Sequence, residues 1–280
     1  MKVTFYGVRG SIATPGAEFA RYGGNTACVH VELNDGTDII LDSGTGIRLL
    51  GKKLAQKDTP IFVLLSHNHW DHIQGFPFFT PAYQPERQIH IIPGQTKEHQ
   101  PTAVLDQMSG SYFPVPKEVL AADIVINEIE KNRNTWTIGN AKISRRPMNH
   151  PGGGSCYSIV EDGSKLSYIT DNELYPPYKK DGDFLNFVDF AKDSDLMIHD
   201  AQYIVQDMPA KQGWGHSVAE EAVKLAMGAN VKTLALYSHD PERTDKQVDA
   251  ITEHADEILQ IGGAVNARCI AAYEGLSISI

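Results

Sequence analysis

The chain has 280 residues, 41% of them hydrophobic and 21% charged, ordinary for a globular protein and long enough to bury a substantial core. Its 25 basic side chains stand against 35 acidic ones, a formal charge of −10. That balance argues against gripping a long nucleic acid, whose affinity rests on phosphate neutralisation by Lys and Arg, but it leaves room for a small anion drawn in by a local metal charge.

The opening MKVTFYGVRGS contains no apolar run long enough for a signal peptide or a spanning helix. Cys28, Cys156 and Cys269 lie far apart with no CxxC pair, which fits reduced, buried thiols. The expectation is a cytoplasmic protein with no membrane partner. VTFYGV, ACVHVEL, DIILDSG and IFVLLS are β-branched apolar runs and predict strands, with a helix over GIRLLGKKLA. The stretch 93–119 is the least regular, and reads either as a lid or dimerisation insert or as a surface loop with one short helix. CYSIV and KLSYIT then predict strands, FLNFVDFAK a helix and DLMIHD a strand. In SVAEEAVKLAMGA, Ser217 reads as N-cap and Glu220 as N3 of a capping box. TLALYSH, the helical DKQVDAITEHADEILQI and the strand-like AVNARCIAAYEG close the chain. No Ser/Gly/Pro linker or tandem repeat divides it, so one domain over 1–280 is expected, with two sheets packed together and helices outside.

Many of these strands end in Gly, Asp, Ser or His. In SHNHWDH, four metal-ligand types, His67, His69, Asp71 and His72, fall within six residues directly after an apolar strand. Side chains two apart on a loop converge, while the adjacent Asp71 and His72 diverge, a spacing that suits two neighbouring metals. Imidazole and carboxylate together suit zinc or another borderline first-row ion, manganese and iron included. His150, Asp171 and His239 also close strand-like runs. Together the seven supply the ligands two divalent ions need while leaving positions open for water.

That set leaves His216 over, in GWGHS at a helix entrance. A cationic imidazole gains nothing from the helix dipole there, so a carboxylate partner is expected, and Asp200 at the end of DLMIHD is the candidate. Such a pair beside two metals makes a general acid for an alkoxide leaving group. Near the N-terminus, VRGSIATPG and RYGGNTACV offer Arg9, Ser11, Asn25 and Thr26, either as phosphate contacts or simply as tight turns.

HNHWDH followed by separated His, Asp and His resembles the metallo-β-lactamase superfamily across nearly the whole chain. The resemblance implies an α/β fold, an αββα sandwich with a dinuclear site at one edge of two mixed sheets. It also implies that His67, His69 and His150 hold one ion, that Asp71, His72 and His239 hold the second, and that Asp171 bridges them. Asp42 in LDSGTG resembles the acidic residue behind a metal-binding histidine, which orients the imidazole. HDAQY followed by GHS resembles the ribonuclease Z-like phosphodiesterase branch, with Asp200 where that branch typically has the longer Glu. There the pair assists leaving-group departure, and Asp71 is counted with His216 and Asp200 as catalytic. RGS followed by YGGNT is similar to a bacterial subgroup acting on small cyclic phosphodiesters. The function so implied is a dinuclear-metal phosphodiesterase acting on a 3′,5′-cyclic nucleotide or similar compound, as a homodimer. The alternatives are a ribonuclease Z-like endonuclease maturing RNA 3′ ends and a metal-bound ligand-sequestering module without turnover.

Overall fold

In the computed structural model, which describes residues 1–130, 133–264 and 266–280, the central strands of both sheets are buried on both faces, while strands toward the edges alternate buried and exposed residues. β1 (Lys2–Gly7) pairs antiparallel with β2 (Cys28–Glu32), and β2 with β3 (Asp38–Leu41). Pairing then turns parallel through β4 (Ile61–Leu64), β5 (Gln88–Ile92) and β6 (Asp123–Ile126). The second sheet starts with the antiparallel β7 (Thr135–Ile138), β8 (Ala141–Pro147), β9 (Ser155–Glu161) and β10 (Ser164–Ile169). It continues in parallel through β11 (Leu196–Asp200), β12 (Thr233–Tyr237) and β13 (Arg268–Ala271). The last strand, β14 (Ser277–Ser279), returns to the first sheet beside β1, giving the orders 14-1-2-3-4-5-6 and 13-12-11-10-9-8-7.

Among the described residues the α-helices are α1 (Ile47–Leu54), α2 (Trp70–Ile73), α3 (Ala103–Asp106), α4 (Phe184–Ala191), α5 (Ala219–Gly228) and α6 (Asp245–Ile261). Between the sheets, Val3, Phe5, Val29, Val31, Ile39 and Leu41 meet Ile143, Tyr157, Ile159, Tyr168, Ile198 and Tyr237. Outside the first sheet, Ile40, Val63 and Ile91 pack with Leu50 and Leu54 of α1. Outside the second, Met197, Leu234 and Leu236 pack with Phe187 of α4, Val223 of α5 and Leu259 of α6. Burial on both faces explains the continuous apolar runs in the sequence. The architecture is the expected αββα sandwich.

Several boundaries differ from the expectation. The capping box does not form. Val218 is the N-cap of α5, and the Ser217 hydroxyl instead donates to Asn172 O (2.6 Å) while accepting from Leu174 N (3.1 Å). The run from Ala264 includes Val265, which lies outside the described residues; the strand there begins at Arg268. The 93–119 stretch holds one short α-helix, α3, and a 3₁₀ turn at Lys117–Val119. All three cysteines are buried and unpaired. Among the described residues, no helix is long and apolar enough to cross a membrane.

β3 is fixed at both ends by carboxylates. At its start, buried Asp38 accepts from His30 Nε2 (2.8 Å), Lys57 Nζ (2.9 Å) and Thr59 Oγ1 (2.9 Å). Burial alone would raise this carboxyl's pKa, but these partners outweigh it and hold the value at about 2, against an ordinary 3.8. A depressed carboxyl stabilises the fold above its unfolded pKa, and that stability is lost as pH falls through about 4 toward 2. Asp38→Asn should therefore remove roughly 2 kcal/mol at neutral pH. Denaturant titrations at pH 7 and pH 3 check this, since the gap between variant and wild type should narrow at the lower pH.

Candidate metal centre

The exits of β3, β4, β8, β10, β11 and β12 lie at one edge of the sandwich, and each delivers a polar side chain there. β4 runs into Ser66 and His67, and His69 follows as the extended N-cap of α2, whose first turn carries Asp71 and His72. His67, His69 and His150 each place a ligand atom within 4.8 Å of the others, and His67, His72 and Asp171 form a second such trio. Asp171 Oδ2 lies 3.2 Å from His72 Nε2 and 3.8 Å from His67 Nε2, between the two groups. Asp71 and His72 do not diverge as their adjacency suggested, because Asp71 Oδ2 sits 3.3 Å from His72 Nε2.

Asp42 fixes these rings. Its buried carboxylate accepts from Ser66 N (2.6 Å), Ser66 Oγ (2.8 Å), His72 Nδ1 (2.8 Å) and Tyr168 OH (2.7 Å). With its proton given to Asp42, Ser66 Oγ can only accept from His67 Nδ1, 3.0 Å away. Both rings are thus held as Nδ1–H tautomers that turn Nε2 toward the centre. The buried Nε2 of His67 finds no hydrogen-bond partner among the described residues, an orphan that a cation would satisfy.

The charges point the same way. Burial drives His67 well below the ordinary imidazole value, lowers His69, and brings His150 down to about 4, so all three are neutral donors. Burial opposes charge at His72 too, but Asp171, Asp71 and Asp42 together raise it well above that value. A field that draws a proton onto a buried imidazole would equally draw a divalent cation. His67, His69 and His150 make a complete imidazole triad of the kind that holds a borderline ion. His72, Asp71 and Asp171 offer a second, less complete set.

The GWGHS loop serves both the triad and the surplus histidine. Glu173 accepts from Gly213 N (2.8 Å) and Gly215 N (3.0 Å) and holds the loop in place. Gly215 O in turn accepts from His150 Nδ1 (2.9 Å), fixing that tautomer as well. Gly215 has φ 93°, and a Cβ there would stand 2.1 Å from His150 Nδ1. The next residue, buried His216, donates through Nδ1 to Asp200 Oδ2 at 2.5 Å, and Asp200 Oδ1 accepts from Ser217 N and Gln202 N. Ligand atoms of His216, His150 and Asp171 also lie within 4.8 Å of one another. Burial disfavours a charged His216, yet Asp200 and then Asp171 push it up to about 9, so the ring carries a proton beside the triad.

Other expectations fail on geometry. His239 does not face the centre: its Nε2 donates to Ala272 O (2.8 Å), and its ring meets Tyr22 edge-on. Ser238, one residue earlier, points inward instead, with Oγ 3.4 Å from Asp171 Oδ1. Arg9 is fully buried and donates to the carbonyls of Gly23, Asp240 and Arg243, so it braces loops and cannot reach a phosphate. Asn25 is tied to Glu274, and the Thr26 hydroxyl accepts from Thr45 N, so both are turn residues. Of the four, Ser11 alone lies at the centre, where its backbone N–H donates to Asp71 Oδ2 (2.9 Å). Ser66 and Glu173, which the sequence reasoning missed, are positioning residues. Ser66 stands next to His67, but nothing in the spacing of Glu173 marks it.

Comparison with known proteins gives the family. The family model described as a beta-lactamase superfamily domain matches residues 37–239, well over half the chain, and the chain belongs to that superfamily. Ribonuclease Z of Haloarcula marismortui is 24% identical, the match covering 99% of this chain and 96% of the relative. Ribonuclease Z of Saccharolobus solfataricus is also 24% identical, over 79% of this chain and 83% of the relative. Among solved structures, the metallo-beta-lactamase fold protein YhfI from Bacillus subtilis superposes with TM-score 0.71 at 17% identity, covering 99% of each chain. A diphosphatase of the PhnP family gives 0.70 at 15% identity, covering 100% of this chain and 97% of that one.

If Gly215 is what lets the loop carbonyl reach His150, then Gly215→Ala should lower affinity for the first divalent ion by about 10- to 100-fold while the fold persists. Competition with a chromophoric chelator, alongside circular dichroism, checks it.

Proposed function

We propose that the protein is a metal-dependent phosphodiesterase with two divalent ions, zinc by preference, that hydrolyses a small cyclic phosphodiester, a 3′,5′-cyclic nucleotide being the best fit. The observation that carries this reading is the buried His216–Asp200 pair held beside the histidine triad. A metal centre alone serves esters, amides and phosphodiesters alike, but a protonated imidazole at its edge suits departure of an alkoxide, which needs a proton. Bound divalent ions would supply Lewis-acid activation of water and neutralise charge developing on the phosphoryl oxygens. Asp200 keeps the His216 proton donor oriented by holding Nδ1, so the proton for the leaving oxygen resides on Nε2. Ser11 N orients Asp71, and Asp42 orients His72. The net charge of −10 favours a small substrate over a polynucleotide track. Trp70, 65% exposed beside His69, meets Tyr112 of the 93–119 segment edge-on, which supports a role for that segment as a wall over the site mouth.

A second reading is an RNA-processing endonuclease, favoured by the relatives named ribonuclease Z, the first of which is matched over 96% of its own length. Those names give no support to the expectation that long nucleic acid is excluded. Purified, metal-replete protein assayed against cyclic nucleotides, bis(p-nitrophenyl) phosphate and a 3′-extended tRNA precursor separates the readings. Turnover of the precursor alone would replace the first by the second, tight nucleotide binding without product would favour a sequestering module, and no activity on any phosphodiester would remove both enzymes. His216→Ala should slow turnover by about 10²- to 10⁴-fold with metal content unchanged. Loss of metal in that variant would make His216 a ligand instead of an acid.

A further inference from the structure

From His216 a row of aromatic rings leads outward to solvent. The buried ring of Tyr203 meets His216 edge-on, with centroids 5.5 Å apart. Lys211 Nζ stands 5.6 Å from the centre of the Tyr203 ring and 4.2 Å from that of Trp214. Trp214 ends the row and is 57% exposed. Among the described residues Lys211 makes no ion pair, so its cation is held by the two rings, and it covers one face of the indole. The backbone is fixed as well. Glu173 clamps the glycines on both sides of Trp214, and Trp214 N donates to Lys211 O (3.2 Å). An indole held on one face and in its backbone, with the other face in water, has the properties of a stacking platform. The opposite flank differs. Trp70, 65% exposed after His69, meets only the edge of Tyr112, and among the described residues no cation lies over it. His150 Nε2 faces His69 Nδ1 (3.0 Å) while its Nδ1 donates to Gly215 O, so the two tryptophan-bearing segments approach that ring from opposite sides.

We propose that Trp214, fixed by Lys211, stacks on the planar heterocycle of the leaving alcohol, so that the substrate is a phosphodiester whose departing oxygen belongs to a base-bearing sugar. This rests on the phosphodiesterase reading with His216 as the acid. As a water oxygen bonds phosphorus, the P–O bond to the sugar breaks and the departing oxygen takes the His216 proton, which the water's own proton replaces. The sugar therefore lies on the His216 side, and its base falls toward Trp214 and away from Trp70. Metal-replete protein would be assayed with adenosine 3′,5′-cyclic monophosphate and with the same cyclic phosphate carrying a methoxy group in place of the base. W214A should raise KM for the nucleotide and cut the preference for it over the base-free compound by about 10- to 100-fold, whereas W214F should keep most of that preference. W70A should keep the preference intact. Equal losses on both compounds in W214A, or loss of the preference in W70A instead, would overturn the proposal. Trp136 is buried in the sandwich, so in W70F the exposed indole is Trp214. Its fluorescence should be quenched by the nucleotide and not by the base-free compound, a signal that needs no turnover. Quenching without turnover would keep the platform and overturn the phosphodiesterase reading; turnover with neither quenching nor an effect of W214A would keep that reading and overturn the platform.

Discussion

A single buried carboxylate organises this protein. Asp42 receives four hydrogen bonds, and they come from the exit of β4, from α2 and, through Tyr168, from the opposite sheet. Its removal would leave those donors buried and unpaired, each at about 1–3 kcal/mol. The same bonds settle which nitrogen of His67 and which of His72 faces the centre, so packing of the two sheets and presentation of ligands are one event. Burying a carboxylate costs much of its hydration, and here protein donors replace it, three on Oδ2 and one on Oδ1.

Strand ends carry the rest of the geometry. Ser11, Asp42, Asp171 and Ser238 all have positive φ, and all four lie at the centre. Such conformations cost on the order of 1–3 kcal/mol each for residues other than glycine and persist where the surroundings over-determine them. Here the surroundings are parallel strands ending abruptly at the sandwich edge, where a left-handed residue turns a side chain across the opening. The GWGHS loop adds a second coupling. Through Gly215 O it orients His150, and through the next residue it delivers His216, so a triad ligand and the proposed acid are placed by one short segment clamped by Glu173.

Much of this was legible in the sequence, and for identifiable reasons. The apolar runs from Val3 to Leu65 and from Cys156 to Tyr237 are strands buried on both faces, so their hydrophobicity is unmistakable. QIHII and DIVI in the first sheet and TWTI and AKISRRP in the second were not singled out, because half-exposed strands carry polar residues among the apolar ones. The SHNHWDH cluster and the Asp200–His216 pairing were visible because ligand types crowd into few residues or follow a strand directly. Arg9 misled: an arginine between glycines reads as a phosphate contact, while its guanidinium is spent on carbonyls that no linear pattern reveals. His239 misled by a single position, since which of two adjacent residues faces inward depends on one φ angle at Ser238.

Function follows from this framework: an edge where two sheets bring imidazoles, carboxylates and the Asp200-held His216 into contact, in a chain of the beta-lactamase superfamily. Its most direct test is a crystal structure of the zinc-loaded protein with the ion located by anomalous scattering. The expected result is a zinc about 2.0–2.1 Å from one ring nitrogen each of His67, His69 and His150, with His72 Nδ1 still donating to Asp42. A zinc bound elsewhere, or Asp42 released from His72 to ligate the ion itself, would contradict it.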